Sequence, residues 1–353
     1  MKVLVTGAFG LVGSATVRKL ASDGRTVVAS DLDIPANRKA AEHLPPGVTA
    51  DLADITDLDA VDRLIASVAP SAIIHLAAII PPFIYLRRDL ARKVNVDGTA
   101  ALLAAAQKQA NPPRFIQASS IGVYGSRNPY RVIDLLTADT PVNPADVYGQ
   151  HKVEAENLVR ASALDWVILR LGGVLAVDIG SYMKLDNMYF ETLLPVDNRV
   201  QTVDVRDVAT AFAAATTADV VGETLLIGGD DSHRQIYGDV APSFAAALGL
   251  VDGLPTGLKG DPEDDDSWFN TDWMDTARAQ EALDYQHHSW ADMLIEAADK
   301  MGWKRGLLRA VSPIARVITT RRAAYYGSTK THADPWTAIA EKWADPRPDG
   351  SAK

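Results

Sequence analysis

Two hydrophobic periods alternate through the first half of the chain. Short runs rich in β-branched and aliphatic residues are typical of buried strands, and longer stretches with apolar positions three and four residues apart are typical of helices. The predicted strands are Lys2–Thr6, Thr26–Ser30, Ala72–Leu76, Arg114–Ala118 and Trp166–Arg170. The predicted helices are Leu11–Ser22, Leu58–Val68, Leu90–Gln109 and Asp146–Ala161. This alternation predicts an α/β fold with a Rossmann-type doubly wound parallel sheet.

Beyond residue 170 the alternation loosens. Gly222–Gly229 is typical of one more strand, and its residues 224–228 could return to the sheet. Met274–Tyr285 and Ser289–Met301 have helical spacing. The predicted parts are a Rossmann domain over residues 1–170, a smaller C-terminal α/β substrate-binding lobe over residues 171–302 and a C-terminal extension over residues 303–353.

The composition is that of an ordinary globular protein of 353 residues, with 47% hydrophobic and 23% charged residues. The chain contains no cysteine, which excludes disulfides, thiolate metal sites and cysteine nucleophiles. It has no run of about 18–20 apolar residues, the length that a membrane-spanning helix needs, and no signal-peptide core. These features favour a cytoplasmic protein.

The net charge of −10 is unevenly distributed along the chain. Residues 1–302 carry 25 Lys+Arg and 41 Asp+Glu, whereas residues 303–353 carry 10 and 4. The acidic body argues against a nucleic-acid partner, since phosphate binding needs a basic face. In the basic extension, apolar residues follow one helical stripe: Leu307, Val311, Ile314 and Ile318. We expect the extension to wrap the acidic body or a second subunit, and peripheral contact with an anionic membrane is the alternative.

Three glycines follow the first predicted strand, in the segment Thr6–Gly13 (T-G-A-F-G-L-V-G). Gly7 allows a tight turn, Gly10 lets the backbone approach a pyrophosphate, and Gly13 permits close packing of the helix on the strand. Asp31 follows the second strand, where a carboxylate can bind the adenosine ribose hydroxyls and repel a 2′-phosphate. The pattern predicts a dinucleotide cofactor, NAD rather than NADP.

A Tyr-x-x-x-Lys pair lies at the start of the helix predicted at Asp146–Ala161. The spacing puts Tyr148 and Lys152 on one face, where we expect the ammonium group to lower the pKa of the phenol and so let it exchange a proton during hydride transfer. Ser120 lies at the carboxyl end of a parallel strand and can bind the reacting oxygen beside them, and Ser119 could share that role. The predicted catalytic residues are Ser120, Tyr148 and Lys152.

Taken in order, T-G-A-F-G-L-V-G, S-S-I-G-V-Y-G and Y-G-Q-H-K resemble the extended short-chain dehydrogenases/reductases, the NAD-dependent epimerase/dehydratase family. The similarity spans residues 1–301. It implies an NAD-dependent enzyme, a homodimer that pairs through its long helices, and contacts of Asp51 and Leu52 with adenine. The cofactor-binding residues that it implies, together with the glycine loop, are Gly7, Phe9, Gly10, Leu11, Asp31, Asp51, Leu52, Leu76, Ala77, Ala78, Asn95, Ser119, Tyr148, Lys152, Leu171 and Val174.

Several positions depart from the family pattern. Ile121 and Gly122 stand where the sugar-nucleotide 4,6-dehydratases carry an acid pair, so the general acid for water elimination is missing. Gly172 stands where the epimerases usually place an asparagine that holds the diphosphate. Arg199 is one residue out of register with the arginine that commonly grips the diphosphate. Together these departures weaken a nucleotide-sugar assignment.

Apolar residues fill the segment Ile79–Tyr85 (I-I-P-P-F-I-Y), which should overhang the nicotinamide. Such side chains at the mouth of a crevice suit a hydrophobic substrate, or they pack the two lobes together. The candidate substrate residues are Pro81, Phe83, Ile121, Tyr124, Gly172 and Tyr182. No pair of histidines or carboxylates has the spacing of metal ligands, and we predict no metal.

The leading hypothesis is an NAD-dependent oxidoreductase that interconverts a secondary alcohol and a ketone on a small molecule. The first alternative is an epimerase of sugars or nucleotide sugars that retains its NAD. The second is a catalytically idle NAD-binding or scaffold protein, which would not require an intact Ser-Tyr-Lys set.

Overall fold

A parallel sheet forms the centre of the protein. The computed structural model describes residues 1–177, 189–190, 192–252, 254 and 257–350. The strands are β1 (Lys2–Thr6), β2 (Thr26–Ser30), β3 (Val48–Ala50), β4 (Ala72–His75), β5 (Arg114–Ser120), β6 (Trp166–Leu171), β7 (Gly173–Leu175), β8 (Arg199–Asp204), β9 (Glu223–Ile227) and β10 (Arg234–Ile236). The large sheet has the order β3-β2-β1-β4-β5-β6-β9, with parallel pairing throughout. This order confirms the predicted Rossmann-type doubly wound fold.

Helices cover both faces of the sheet and continue into the C-terminal part. They are α1 (Leu11–Ser22), α2 (Pro35–Ala41), α3 (Leu58–Val68), α4 (Phe83–Leu86), α5 (Arg88–Arg92), α6 (Gly98–Gln107), α7 (Val147–Ala161), α8 (Val205–Ala215), α9 (Tyr237–Ala247), α10 (Ala277–Leu283), α11 (Trp290–Met301), α12 (Lys304–Arg322) and α13 (Pro335–Lys342). A π-helical turn, Lys93–Asp97, joins α5 to α6, and a 3₁₀ turn, Ile121–Tyr124, follows β5.

The predicted bounds of β1, β2, α1 and α3 agree with the structure. β5 continues two residues beyond its predicted end, to Ser120. The single helix predicted at Leu90–Gln109 is divided by the π-helical turn Lys93–Asp97, and the helix predicted at Met274–Tyr285 is confined to α10. Short elements that carry little periodicity, such as α2 and β3, were not predicted.

The apolar core lies on both faces of the large sheet. One layer packs the sheet against α1 and α8 and includes Val17, Leu20 and Phe212. The other packs it against α3 and α6 and includes Leu64 and Leu102. Because β1 pairs with β2 on one side and β4 on the other, the chain order reverses at β1, and a ligand crevice opens at the carboxyl ends of these strands.

The C-terminal part adds a small sheet and the extension. The small sheet has the order β10-β8-β7, while β9 returns to the large sheet beside β6. In the extension, Ala338 and Ile339 of α13 are buried against Ile84 and Val147 of the first half. The domain limits at residues 170 and 302 stay a prediction. Among the described helices, none combines the length and the apolar character that crossing a membrane requires.

Candidate active site

Two positions where β1 passes into α1 require glycine: Gly7 in the connecting turn, and Gly13 in the first turn of α1. Gly7 has φ +68°, and a Cβ there would lie 2.6 Å from the backbone nitrogen of Ala77. A Cβ on Gly13 would lie 2.0 Å from the carbonyl oxygen of Gly7. At Gly10 a Cβ would meet only that same carbonyl oxygen, at 3.4 Å, so space remains above the start of α1. An open helix N-terminus of this kind suits the pyrophosphate of a dinucleotide.

Asp31 is held against the glycine loop. Its carboxylate accepts hydrogen bonds from the backbone N–H groups of Phe9, at 3.1 Å, and Leu32, at 2.8 Å. Arg38, the nearby cation that could favour a 2′-phosphate, forms an ion pair with Asp33 at 2.5 Å. The loop therefore presents a fixed carboxylate to the ribose position, and these residues fit NAD.

The loop after β4 is fixed by Asn95 in the π-helical turn. Its side-chain oxygen accepts from the N–H of Ile79 at 2.7 Å, and its amide nitrogen donates to the Ile79 carbonyl at 2.9 Å. The preceding residues, Leu76, Ala77 and Ala78, are half-buried at the crevice. Asn95 thus holds this backbone in place, and its contact with NAD stays a prediction.

His75, at the end of β4, is a buried structural histidine. Its ring nitrogens lie 2.7 Å from the hydroxyl of Thr6 and 3.0 Å from that of Thr99. Burial, together with the positive charge of Lys152, lowers the pKa of His75 to about 3. The imidazole is therefore neutral and joins β1, β4 and α6 from beneath the crevice.

The other predicted cofactor residues lie around the same strand ends. Asp51 and Leu52 follow β3, and the Ser67 hydroxyl lies 3.4 Å from the Asp51 carboxylate. Leu171 ends β6, and Val174 lies in β7. Phe9 is half-buried and Leu11 is exposed at the start of α1. Their contacts with NAD stay a prediction.

The three predicted catalytic residues meet where β5 ends and α7 begins. Ser120 is the last residue of β5, and its hydroxyl oxygen accepts from the N–H of Gly122 at 3.1 Å. The Ser120 hydroxyl lies close enough to the Tyr148 phenol to lower its pKa. The ammonium nitrogen of Lys152 lies 5.7 Å from the centre of the Tyr148 ring and donates to the Ala118 carbonyl at 2.9 Å.

The electrostatics of this trio differ from the sequence-based expectation. Burial lowers the pKa of Lys152 to about 8. Burial also raises the pKa of Tyr148 above its usual value, and the neighbouring carboxylate of Asp146 raises it further, whereas the hydrogen bond with Ser120 lowers it. The expected net lowering of the phenol pKa is therefore not found, because desolvation of the phenol dominates. Tyr148 thus holds its proton at neutral pH until another positive charge enters the site.

Asp146 and Tyr85 belong to this site and were not singled out from the sequence. Asp146 is fully buried and caps α7, since its carboxylate accepts from the N–H of Gly149 at 2.8 Å. The same carboxylate accepts from the Tyr85 hydroxyl at 2.7 Å. An aspartate just before a helix is a recognisable N-cap signal, but its partner lies 61 residues away and has no local signature.

Ser119 and Tyr124 lie in a buried polar network rather than beside Tyr148. The Ser119 hydroxyl donates to Glu156 at 2.6 Å, and Glu156 accepts two hydrogen bonds from Arg170, at 2.7 and 2.9 Å. Arg170 also donates to the Tyr124 hydroxyl at 2.6 Å. The network ties α7 to β5 and β6, so we correct the expectation that the Ser119 side chain shares the role of Ser120. The hydroxyl of Tyr124 is likewise not offered to a substrate.

The remaining candidate substrate residues divide between the interior and the surface. Ile121 is 4% exposed and packs against Leu226 and Met274. At Gly172 a Cβ would lie 2.6 Å from the Gln201 carbonyl oxygen, because β8 runs close by. Pro81 is half-buried and Phe83 is 55% exposed. Tyr182 lies outside the described residues.

An apolar cluster of aromatic and aliphatic side chains packs against Tyr148. The loop Ile79–Tyr85 contributes buried Ile84 and Tyr85, so part of this loop does pack the lobes together. Trp336 of the extension stacks on Phe269 with the ring centres 5.2 Å apart. Further members of the cluster are Tyr189, Phe190, Leu193, Leu194, Tyr325, Ile339 and Trp343. The sequence did not indicate that the extension contributes to this cluster.

Arg127 and Arg199, two arginines near the candidate substrate side, are both paired with the carboxylate of Asp272. Arg127 lies 2.6 Å from the carboxylate of Asp272, and Arg199 lies 3.5 Å from the same carboxylate. The Arg199 guanidinium also lies 5.1 Å from the centre of a Trp273 ring and donates to backbone carbonyls, including that of Pro129. These contacts make Arg199 a structural residue, consistent with its departure from the family register.

The profile of the NAD-dependent epimerase/dehydratase family matches residues 3–228. The chain belongs to this family. The resemblance to extended short-chain dehydrogenases/reductases is thereby confirmed, and the protein is an NAD-dependent enzyme. The glycine loop and Asp31, whose geometry suits a dinucleotide, lie within the matched residues.

Individual relatives differ in the reactions that their names state. The chain is 31% identical over 269 residues to UDP-glucose 4-epimerase of Mycolicibacterium smegmatis, covering 72% of this chain and 75% of that protein. It is 33% identical over 184 residues to D-erythronate dehydrogenase of Cupriavidus necator, covering 48% and 54%. A short-chain dehydrogenase/reductase superfamily protein of Agrobacterium tumefaciens with bound NAD is 26% identical, with a TM-score of 0.67 over 90% of this chain and 100% of that one.

Proposed function

We propose that this family member is an NAD-dependent oxidoreductase that interconverts a secondary alcohol and a ketone on a small, uncharged and largely apolar substrate. Two observations carry the proposal: the pairing of Arg199 with Asp272, and the aromatic and aliphatic side chains that cluster around Tyr148. A nucleotide-sugar enzyme needs cations to bind the two phosphates of its substrate. Here Arg199, the arginine nearest to the family's diphosphate position, forms an ion pair with the buried carboxylate of Asp272 instead. Apolar side chains favour a substrate without such charge.

In the proposed reaction, Tyr148 moves the proton and Ser120 orients the oxygen. NAD, when bound, accepts or returns the hydride. For ketone reduction, the Tyr148 hydroxyl donates its proton to the carbonyl oxygen, which the Ser120 hydroxyl holds in place. For alcohol oxidation the Tyr148 oxygen must take up that proton, and the raised pKa of its phenol opposes this direction until positive charge enters the site.

Lys152 has two tasks in this proposal. Its ammonium group lies beneath Tyr148 and stabilises negative charge on the phenol oxygen. It is also the group that would bind the nicotinamide ribose hydroxyls. The bond to the Ala118 carbonyl fixes the ammonium at this place, and the buried surroundings strengthen its effect on Tyr148.

Water elimination is disfavoured by the residues after Ser120. Ile121 is buried in an apolar cluster, and Gly122 has no side chain, so neither supplies a proton. A dehydratase needs an acid at this point to expel hydroxide as water. The proposal is therefore confined to hydride and proton transfer at one carbon.

An epimerase that retains NAD is the second candidate, favoured by the similarity to the Mycolicibacterium smegmatis epimerase. It would use the same trio twice, once to oxidise and once to reduce the same carbon. Because the oxidised cofactor is restored in each cycle, an epimerase accumulates no NADH.

This difference in NADH supplies the test of the proposal. The purified full chain is incubated with NAD and a panel of apolar secondary alcohols, in parallel with UDP-sugars, and NADH absorbance is followed. We expect NADH to accumulate with an apolar alcohol and the ketone to form in equal amount. Product epimers of a UDP-sugar with no change in NADH would overturn the proposal and establish the epimerase.

We also propose a cytoplasmic homodimer, paired through the helices that follow Leu90 and Asp146. The C-terminal residues cover the first turn of α7, where the N–H of Val147 donates to the Pro346 carbonyl at 2.8 Å. Pairing should therefore use the later turns of α7 and α6. A molar mass of twice 37.9 kDa by light scattering would support the dimer.

A further inference from the structure

The basic helix α12 rests on the body by one narrow face. Ser312 is its one buried residue among those described, and the Ser312 hydroxyl donates to the Val251 carbonyl. Leu308, Ala315 and Thr319 are half-buried on the same side, three or four residues apart. The remaining sides of the helix are open to solvent.

A continuous apolar stripe lies on the open side of α12. Its residues are Trp303, Leu307, Val311, Ile314 and Ile318, with exposed fractions of 76%, 58%, 45%, 64% and 50%. They follow one another at intervals of three or four residues, so they form one face. An exposed apolar patch of this length is unusual for a surface that meets only water.

The positively charged side chains of α12 form no ion pairs among the described residues. Between Met301 and Ala333 the sequence has no Asp or Glu. Over the described part of the chain, no ion pair is formed by the six cations of the helix, which are Lys304, Arg305, Arg309, Arg316, Arg321 and Arg322. Within the described residues, α12 therefore does not contact the acidic body through ion pairs. Its packing against the body rests on small and apolar side chains instead.

We propose that α12 docks on an anionic lipid surface, with the apolar stripe entering the boundary between headgroups and acyl chains. Helical spacing sets Lys304 and Arg322, seven residues before and eleven after Val311, along one border of the stripe. Arg321, seven residues after Ile314, lies along the other border. Cations that flank an apolar face pair with lipid phosphates while the face is buried, which is the arrangement of interfacial helices.

Electrostatic repulsion argues against a second copy of the chain, and for an anionic lipid surface, as the partner of the α12 stripe. Two α12 helices packed stripe to stripe would bring their border cations together with no carboxylate between them. An anionic lipid surface satisfies both the border cations and the stripe. The helix lies on the membrane, in agreement with the finding that none of the described helices can cross one.

The full chain is tested by cosedimentation with phosphatidylcholine vesicles that either contain or lack phosphatidylglycerol. We expect binding to the anionic vesicles, weaker binding as salt is added, and no binding to phosphatidylcholine alone. Absence of binding to anionic vesicles at low salt would overturn the proposal.

Two variants assign the binding to the stripe. Leu307→Gln with Ile314→Gln should weaken binding to anionic vesicles by about tenfold or more, because two apolar side chains no longer enter the lipid. Ile133→Gln, at a residue 80% exposed elsewhere on the body, is the matched control and should bind like the parent. NAD binding by each variant verifies the fold. Unchanged vesicle binding by the double variant would refute the proposal. The proposal would also be refuted if the parent chain bound no vesicles and the double variant lost self-association, since the stripe would then serve contact between copies of the chain.

A charge pair completes the experiment. Lys304→Gln with Arg322→Gln should weaken binding to anionic vesicles by roughly twentyfold, since each cation near such a surface contributes about a fivefold gain in affinity. Lys19→Gln with Lys108→Gln removes one half-buried and one exposed cation from the body and should have no effect. If the two double variants lost vesicle affinity equally, the net charge of the chain, and not α12, would direct it to the membrane.

Discussion

The Tyr85 hydroxyl donates a hydrogen bond of 2.7 Å to the carboxylate of Asp146, two residues before Tyr148. Asp146 also caps α7, the helix that carries both Tyr148 and Lys152. The pair thus joins the apolar substrate-side loop to the start of the catalytic helix. It also places a negative charge close to the phenol whose proton the reaction moves.

Asp146→Asn should change stability in a pH-dependent way. Burial raises the pKa of Asp146 to about 6, so the folded protein binds this proton more tightly than the unfolded chain. The corresponding stability is present at low pH and is lost as the pH rises through 6. From pH 5 to pH 8 the unfolding free energy of the variant should therefore rise by about 1–2 kcal/mol relative to the parent. Urea unfolding at both pH values measures this difference.

The same variant should alter the pH profile of catalysis. Loss of the carboxylate charge lowers the pKa of Tyr148, so the rise of alcohol oxidation with pH should shift to lower pH. Asp57 caps α3 in the same manner but lies at the surface, and Asp57→Asn is the matched control. Identical profiles for parent and Asp146→Asn would show that this charge does not act on the phenol.

Tyr148→Phe should bind NAD as the parent does and lose about 10²–10⁴-fold in turnover, because proton transfer loses its donor. Isothermal calorimetry measures the first quantity and NADH absorbance the second. Tyr130→Phe removes a hydroxyl that donates to Asp197 at the surface and should leave turnover unchanged. Full activity of Tyr148→Phe would rule out the proposed mechanism.

Asp31→Ala should weaken NAD binding by roughly ten- to a hundredfold, the value of hydrogen bonds between a carboxylate and the ribose hydroxyls. NADP binding should weaken less, because its 2′-phosphate is repelled by Asp31 in the parent. Asp33→Ala removes the partner of Arg38 and should leave NAD affinity intact. A variant at Asp31 that loses NADP more than NAD would reverse the assigned cofactor preference.

Trp336→Ala should raise the KM for an apolar substrate and lower the unfolding free energy by about 2 kcal/mol, since the stacked contact with Phe269 is lost. Trp303 is 76% exposed, and Trp303→Ala should change neither quantity in the absence of lipid. Steady-state kinetics and urea unfolding make the comparison. Equal effects of the two substitutions would mean that the extension has no part in the substrate wall.

Local features of the chain could be predicted from the sequence. The bounds of β1 and α1 and the glycine turn between them depend on periodicity and on the φ of Gly7, which the nearby residues dictate. The family, the fold and NAD followed from motifs of this local kind. The crevice at the carboxyl ends of the strands followed from the strand–helix alternation.

Features that join distant segments required the tertiary structure. The π-helical turn around Asn95 interrupts a regular helical pattern where the Asn95 side chain holds Ile79 in two hydrogen bonds. Ser119 and Ser120 are equivalent by sequence, but strand geometry turns Ser119 towards Glu156. No periodicity records such partners.

The sequence by itself therefore determined the fold, the cofactor and the candidate trio, because each depends on residues close together in the chain. Only the tertiary structure decided the direction of the Tyr148 pKa, which depends on burial and on the neighbouring Asp146 and Ser120. It also decided that Trp336 joins the apolar cluster around Tyr148, while the apolar stripe of α12 is exposed. Burial and charge at a site are sums over all neighbours in space, and most of those neighbours are remote in sequence.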